Sequence, residues 1–348
     1  MLEITSPLRL RLSHDTLISN WRWLAAQADG AACGAAVKAN GYGLGARDVM
    51  LRLAGVGCRH FFVATWAEAA ALLPLPYGCE LSVLHGLGPD DMGPASAIAA
   101  RPVLASPEQI QRWKAMGAGR PCDIMVDTGM NRLGLRVEQV AQGAADGLHI
   151  VNCLSHLSSA DEDLDVSAAQ LAAFQTVTRL VKAQRYSLAN SAGLCLGTEY
   201  QFDLMRPGIA LYGGIVHPRM AGNIGQVVVP EARILQLRTV DVGETVGYGC
   251  TWTASRETRV AVVNLGYADG YLRCHGGNGA GMLNGMLVPT IGRVSMDLLA
   301  FDVSDVGDVA EGDWISLSYD LAEQAEKTGL SQYELLTVLG QRFLRIWE

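Results

Sequence analysis

The stretch AAVKANGYGLG, residues 35–45, decides how this chain is read. An apolar run ends at Lys38, and glycines and a tyrosine follow at once. A buried ammonium is costly to desolvate unless it is paired or neutralised. A lysine closing a strand-like run therefore either snorkels to the surface or has a covalent task.

Working outward, GAAVKA is the first of a series of short strand-like runs. HFFVAT, CELSVLHG, RPVLAS, DIMVD, HIVNCLSH, YSLAN and DLMRPG follow, ending at Gly208. Between them lie alanine-rich segments with apolar residues three and four apart, such as ARDVMLRLAG (46–55) and SAAQLAAFQTVTRLVKAQ (167–184). Eight such units predict an α/β fold, a (β/α)8 TIM barrel over residues 8–224, with a doubly wound sheet as the alternative. After AGNIGQVVVP (221–230) the grammar changes. EARILQLRTVDVGETVGYG, TRVAVVNLG, MLVPTIGRVSMDLLAFDVSD and GDWISLS run between Gly and Asp turns. That pattern predicts a mainly antiparallel C-terminal β domain over residues 225–348, joined by residues 1–7.

The net charge of −8 argues against a nucleic-acid or acidic-membrane surface, because phosphate backbones are held by clustered Lys and Arg. The eight cysteines form no CxxC pair and read as small apolar residues; no metal site is expected. No leader-like or membrane-length apolar segment is seen, so a cytoplasmic protein without membrane or nucleic-acid partners is expected.

In a TIM barrel, reactive groups come from the C-terminal ends of the strands. Those positions carry Lys38 and Tyr42, Arg132, His156, Asn190 and Ser191, then Arg206 and Gly208. A lysine for a Schiff base, small residues that let amides approach a phosphate, and an arginine to face a heteroaromatic nitrogen suit a phosphorylated aldehyde cofactor. GYGLGA (41–46) also satisfies a loose dinucleotide pattern, with Glu68 beyond it. There, however, the first glycine should end the strand directly, whereas Lys-Ala-Asn intervenes here.

The segments AVKANGYGLG, VDTGMNRLG, SHLSSAD, ANSAG, MRPGIALYG, VGYGCTWTA, GYADGYLR and GRVSMDLLAFDV, in this order, resemble the alanine racemases. The resemblance implies pyridoxal 5'-phosphate as cofactor and interconversion of L- and D-alanine by two bases, for peptidoglycan supply or alanine catabolism. Lys38 would carry the cofactor and act on the D face, and Tyr248 of the partner subunit on the L face, in a homodimer with shared sites. Tyr42, Ser191, Gly208 and Ile209 would hold the phosphate, with Asn190 in the same cofactor-binding set. Arg206 would face the pyridine nitrogen and His156 would orient Arg206 or stack near the ring. Arg132 and the backbone amide of the partner subunit's Met296 would hold the substrate carboxylate and the phenol of Tyr248. Tyr267 and Asp269 would shape the entrance.

Three positions depart from the family pattern. Met125 stands where many members have a carbamylated lysine that steadies the substrate arginine. Ser187 replaces a histidine that supports the pyridine-facing arginine, and its hydroxyl could partly substitute. Gln341 stands where some members have a tyrosine beside the substrate methyl, which keeps a serine or broad-specificity racemase as an alternative. An amino-acid decarboxylase of related fold would need a cysteine-bearing motif and Glu-Pro-Gly, where this chain has MRPG. A cofactor carrier protein would lack the β domain.

Overall fold

The computed structural model describes residues 5–117 and 119–348, so the share of the β domain expected from residues 1–4 lies outside the described residues. The chain divides into two compact units, one of residues 17–225 and one of residues 226–348 with the N-terminal segment up to Thr16.

The first unit is the parallel barrel. Its strands pair in the order Ala35–Ala36, His60–Val63, Glu80–Val83, Arg101–Leu104, Pro121–Asp127, His149–Leu154 and Arg185–Ser187. Leu204–Met205 pairs in parallel with Ala32–Cys33. Its flank is tied to the seventh strand by Asp203 N–H to the Tyr186 carbonyl and Arg206 N–H to the Ala189 carbonyl, both 3.0 Å, which closes the ring. Surrounding helices bury one stripe each. Ala46–Gly55 buries Val49, Met50, Leu53 and Ala54, and Leu164–Leu180 buries Ser167, Gln170, Phe174 and Val177.

At the N-terminal ends of the strands the interior is charged. Glu80 accepts from Arg101 at 2.8 Å and from Arg185 at 2.6 Å, joining the third, fourth and seventh strands. Fully buried Asp123 accepts from Arg101 and from both the backbone and side-chain N–H of Asn152, each at 3.0 Å. His60, whose Nδ1 lies 3.5 Å away, and then the two arginines hold the Glu80 carboxyl far below its ordinary range, at about 2. The fully buried Asp123 carboxylate is tolerated because both of its oxygens find donors, Ser82 Oγ bonding the second.

The second unit is an antiparallel barrel. Thr258–Val263, Leu299–Asp302, Met286–Ile291, Ala280–Leu283, Trp314–Leu317 and Val228–Val240 pair in that order, and Val228–Val240 pairs back with Thr258–Val263. Leu8–Leu12 corrects the expected boundary. Placed at the start of the barrel by the sequence reading, it pairs instead antiparallel with Val228–Val240 and parallel with Leu344–Trp347. The reason is its alternation. Leu8, Leu10 and Leu12 are buried, while Arg9 and Arg11 reach the buried carboxylate of Glu231, the signature of a strand with one polar face. All eight cysteines are free thiols; five are buried, Cys79 and Cys274 are partly so, and Cys250 is exposed beside Tyr248.

Candidate active site

At the mouth of the parallel barrel the first strand ends at Val37 and the backbone after Lys38 turns left-handed. Ala39, Asn40, Gly41 and Tyr42 all have φ between +52° and +64°. For L-residues this conformation costs about 1 kcal/mol or more each. The turn is over-determined by its bonds. Gly41 N–H donates to Val37 O (2.8 Å), Gly43 N–H to Ala39 O (2.9 Å), Gly45 N–H to Asn40 O (2.9 Å) and Ala46 N–H to Asn40 Oδ1 (3.1 Å). Ala39 N–H donates to Glu68 Oε1 at 2.7 Å, while the other oxygen of Glu68 accepts from Ala64 N–H at 2.7 Å. A Cβ on Gly41 would come within 3.0 Å of the Ala46 backbone, so glycine is required there.

Tyr42 is buried and stacks on Tyr212, centroids 4.6 Å apart, and Tyr212 donates to the Ala36 carbonyl at 2.9 Å. This aims the Tyr42 hydroxyl at Gly208, where a Cβ would approach it to 2.2 Å. Ser191 Oγ accepts from Gly208 N–H at 2.9 Å, so both hydroxyls converge at the start of the turn Ile209–Tyr212. Asn190 accepts from Gly193 N–H at 2.9 Å and shapes the loop that carries Ser191.

Arg206 is buried beneath this group. Its guanidinium donates to the Ser187 hydroxyl and the Ser155 carbonyl, and Ser187 in turn donates to the Leu204 carbonyl. Among the described residues no carboxylate pairs with Arg206 directly. Burial lowers its pKa to about 10, with Asp123 acting in the opposite sense. Burial, then the charges of Arg206, Arg132 and Lys38, push His156 down to about 3, so its imidazole is neutral. Burial and Arg132 also lower the Lys38 amine, which Glu68 partly offsets and Arg206 lowers further. These shifts bring Lys38, His156, Arg132 and Arg206 into one electrostatic cluster. Arg132 lies exposed on a loop whose amides at Gly129, Met130 and Asn131 converge on Asp127 Oδ1.

Two supports were missed by sequence reasoning. Glu68 was weighed only as a ribose-binding acid, although Thr65-x-x-Glu68 is a legible capping box. Gln170 holds the His156 carbonyl at 3.0 Å from a helix whose pattern gave no sign of it.

In the antiparallel unit, Tyr248 is 72% exposed on a turn after Thr245–Val246. Gly247 (φ +81°) and Gly249 (φ +73°) flank it. Met296 is exposed, Tyr267 is 38% exposed, and Gln341 is exposed. Asp269 was expected with Tyr267 to shape the entrance. Its carboxyl is fully buried and accepts from Gly266 N–H at 3.0 Å and Arg342 Nε at 2.6 Å, because it caps its own turn.

Family models described as alanine racemase, N-terminal domain, and alanine racemase, C-terminal domain, match residues 12–216 and 227–347. The chain belongs to the alanine racemase family. It is 41% identical to alanine racemase of Acidiphilium cryptum, over 97% of this chain and 98% of that one. It is 40% identical to both the biosynthetic and the catabolic alanine racemase of Agrobacterium fabrum, over 98% and 97% of this chain and 93% and 91% of theirs. The crystal structure of alanine racemase from Bartonella henselae with covalently bound pyridoxal phosphate superposes with a TM-score of 0.89 at 33% identity, covering 99% of this chain and all of that one.

Membership makes the chain a pyridoxal-phosphate-dependent isomerase. The barrel residues fit that group. Two hydroxyls converge on a glycine whose Cβ would fill the space, an amine of lowered pKa stands at the strand end, and a guanidinium without a carboxylate lies beneath. Among the described residues no helix is long and apolar enough to cross a membrane.

Proposed function

We propose that this alanine racemase family member interconverts L- and D-alanine by two bases in a homodimer with shared sites. The observation that carries the barrel half is the cluster at its mouth, where a lysine amine is lowered by burial and neighbouring guanidinium charge. Tyr42, Ser191, Gly208 and Ile209 would hold the cofactor phosphate, and Lys38 its aldehyde carbon. When bound, pyridoxal phosphate supplies an electron sink that acidifies the substrate Cα–H.

The chain's own groups do the rest. Lys38 removes or returns the α-proton on one face, and burial, which lowers its pKa, favours the neutral amine that can act as a base. Arg206 presents a permanent charge to the pyridine nitrogen, discouraging its protonation and limiting side reactions. His156, kept neutral, packs beside Arg206 without adding charge. Arg132 and the Met296 amide take the substrate carboxylate. The partner subunit's Tyr248 serves the opposite face. Its 72% exposure supports this assignment.

Gln341 favours a second reading, in which serine is also accepted, because its amide can hydrogen-bond a side-chain hydroxyl. One experiment separates the readings: α-proton washout in deuterated water from L-alanine and L-serine, followed by chiral analysis. Washout from alanine with D-alanine formed is expected. Equal washout from serine favours the broad-specificity reading, and washout from neither overturns both.

A further inference from the structure

Three stretches far apart in sequence, residues 266–270, 292–298 and 338–342, meet in the antiparallel unit around one side chain. Arg342 Nε donates to Asp269 Oδ1 at 2.6 Å, and its Nη1 donates to Asp297 Oδ1 at 2.8 Å. The backbones are interlocked as well. Tyr267 N–H donates to Ser295 O (3.0 Å), Ala268 N–H to Met296 O (3.1 Å) and Gly340 N–H to Asp269 O (2.9 Å). At two crossings only glycine fits. A Cβ on Gly266 would lie 2.2 Å from the Met296 carbonyl oxygen, and one on Gly270 2.2 Å from that of Val338. No segment can shift without moving its neighbours. The exposed residues beside the charged groups are Tyr267, Met296 and Gln341, two residues from Asp269 and adjacent to Asp297 and Arg342 respectively.

We propose that Arg342 is a positioning residue for the racemase reaction. By bridging Asp269 and Asp297 it sets the relative placement of Tyr267, Met296 and Gln341, and through them the fit of the substrate carboxylate and side chain. This rests on the reading of those three residues as substrate-facing. The choice of arginine follows from its shape, since a planar guanidinium addresses two carboxylates at a fixed separation where an ammonium is a single point charge. Asp269 supplies the anchor because its carboxyl is buried. Asp297 and the guanidinium are about half exposed, so that second bond steers more than it stabilises.

The test uses the full-length, cofactor-loaded protein, with kcat and KM for L-alanine and L-serine and a thermal melt for each variant. Asp297→Asn leaves the buried Asp269 pair intact. It is expected to raise KM for alanine about three- to tenfold, the scale of one charge-assisted hydrogen bond, and to change the alanine-to-serine ratio of kcat/KM. Under the same scale kcat moves about twofold or less, because the reacting groups lie elsewhere. Arg342→Lys should fall between wild type and Asp297→Asn. The paired change Asp269→Asn with Arg342→Met removes both charges together, leaves no buried carboxylate unpaired, and should reproduce the KM rise. Variants whose melting temperature falls while KM and the substrate ratio stay at wild-type values would make Arg342 a staple of the fold alone and overturn the proposal. Wild-type protein that turns over neither amino acid would overturn the functional reading, and this proposal with it.

Discussion

The chain holds two tyrosine-bearing turns that leave the right-handed region, and they are built in opposite ways. After Lys38, non-glycine residues accept left-handed conformations in succession, and hydrogen bonds, a stacked pair and a carboxylate from the helix after the second strand fix them. Around Tyr248, glycines take positive angles on either side, Cys250 follows at φ +47°, and the phenol stands in solvent. The first turn is completed by its own unit. The second leaves its phenol 72% exposed.

The largest expected effect breaks the comparison at both ends. Lys38→Ala should lower turnover by about a thousandfold or more and abolish the visible absorbance of bound cofactor. Tyr248→Phe should lower racemisation by about a hundred- to ten-thousandfold while α-proton washout persists from one enantiomer, since only one face loses its base. Mixing the two dead variants sharpens the point. If each site takes Lys38 from one subunit and Tyr248 from the other, random reassociation should restore up to about a quarter of wild-type activity. No recovery under exchange conditions would place both residues in sites of a single chain.

A smaller effect tests the phosphate side. Gly208→Ala drives a methyl into the Tyr42 hydroxyl and should weaken cofactor affinity about tenfold, read by absorbance titration. Ser187→Ala tests the buried guanidinium. Loss of its acceptor should cost about 1–3 kcal/mol by urea unfolding, and Ser187→His should recover part of it. The smallest effect is in pH. His156 binds its proton less readily folded than unfolded, so its contribution to stability is complete above about pH 6.5, the ordinary histidine value, and is lost as pH falls toward 3. His156→Asn should flatten that part of the acid-unfolding profile.

The barrel was legible because its strands are short apolar runs at regular spacing, and the antiparallel unit because its runs alternate between Gly and Asp turns. The strand Leu8–Leu12 was misplaced since its partners lie more than two hundred residues downstream, where no local pattern points. The Glu80, Arg101, Asp123 and Arg185 network was invisible for the same reason. Each charge sits within or at the edge of an apolar run, and its counter-charge comes from another strand. Asp269 misled because an acid between tyrosines and glycines reads as surface. Its burial depends on Arg342, which only the fold brings near. The Ser187 hydroxyl, expected from the family pattern to support Arg206, does bond it, whereas Met125 has no counterpart visible among the described residues that steadies Arg132.

The strand Leu8–Leu12 lies between Val228–Val240 and Leu344–Trp347. During synthesis it leaves the ribosome more than two hundred residues ahead of both neighbours. The parallel barrel can close once Leu204–Met205 emerges. The antiparallel unit must wait for Leu344–Trp347 before that strand is paired on both sides. A chain without Leu344–Trp347 would lose the parallel neighbour of that strand and expose its edge.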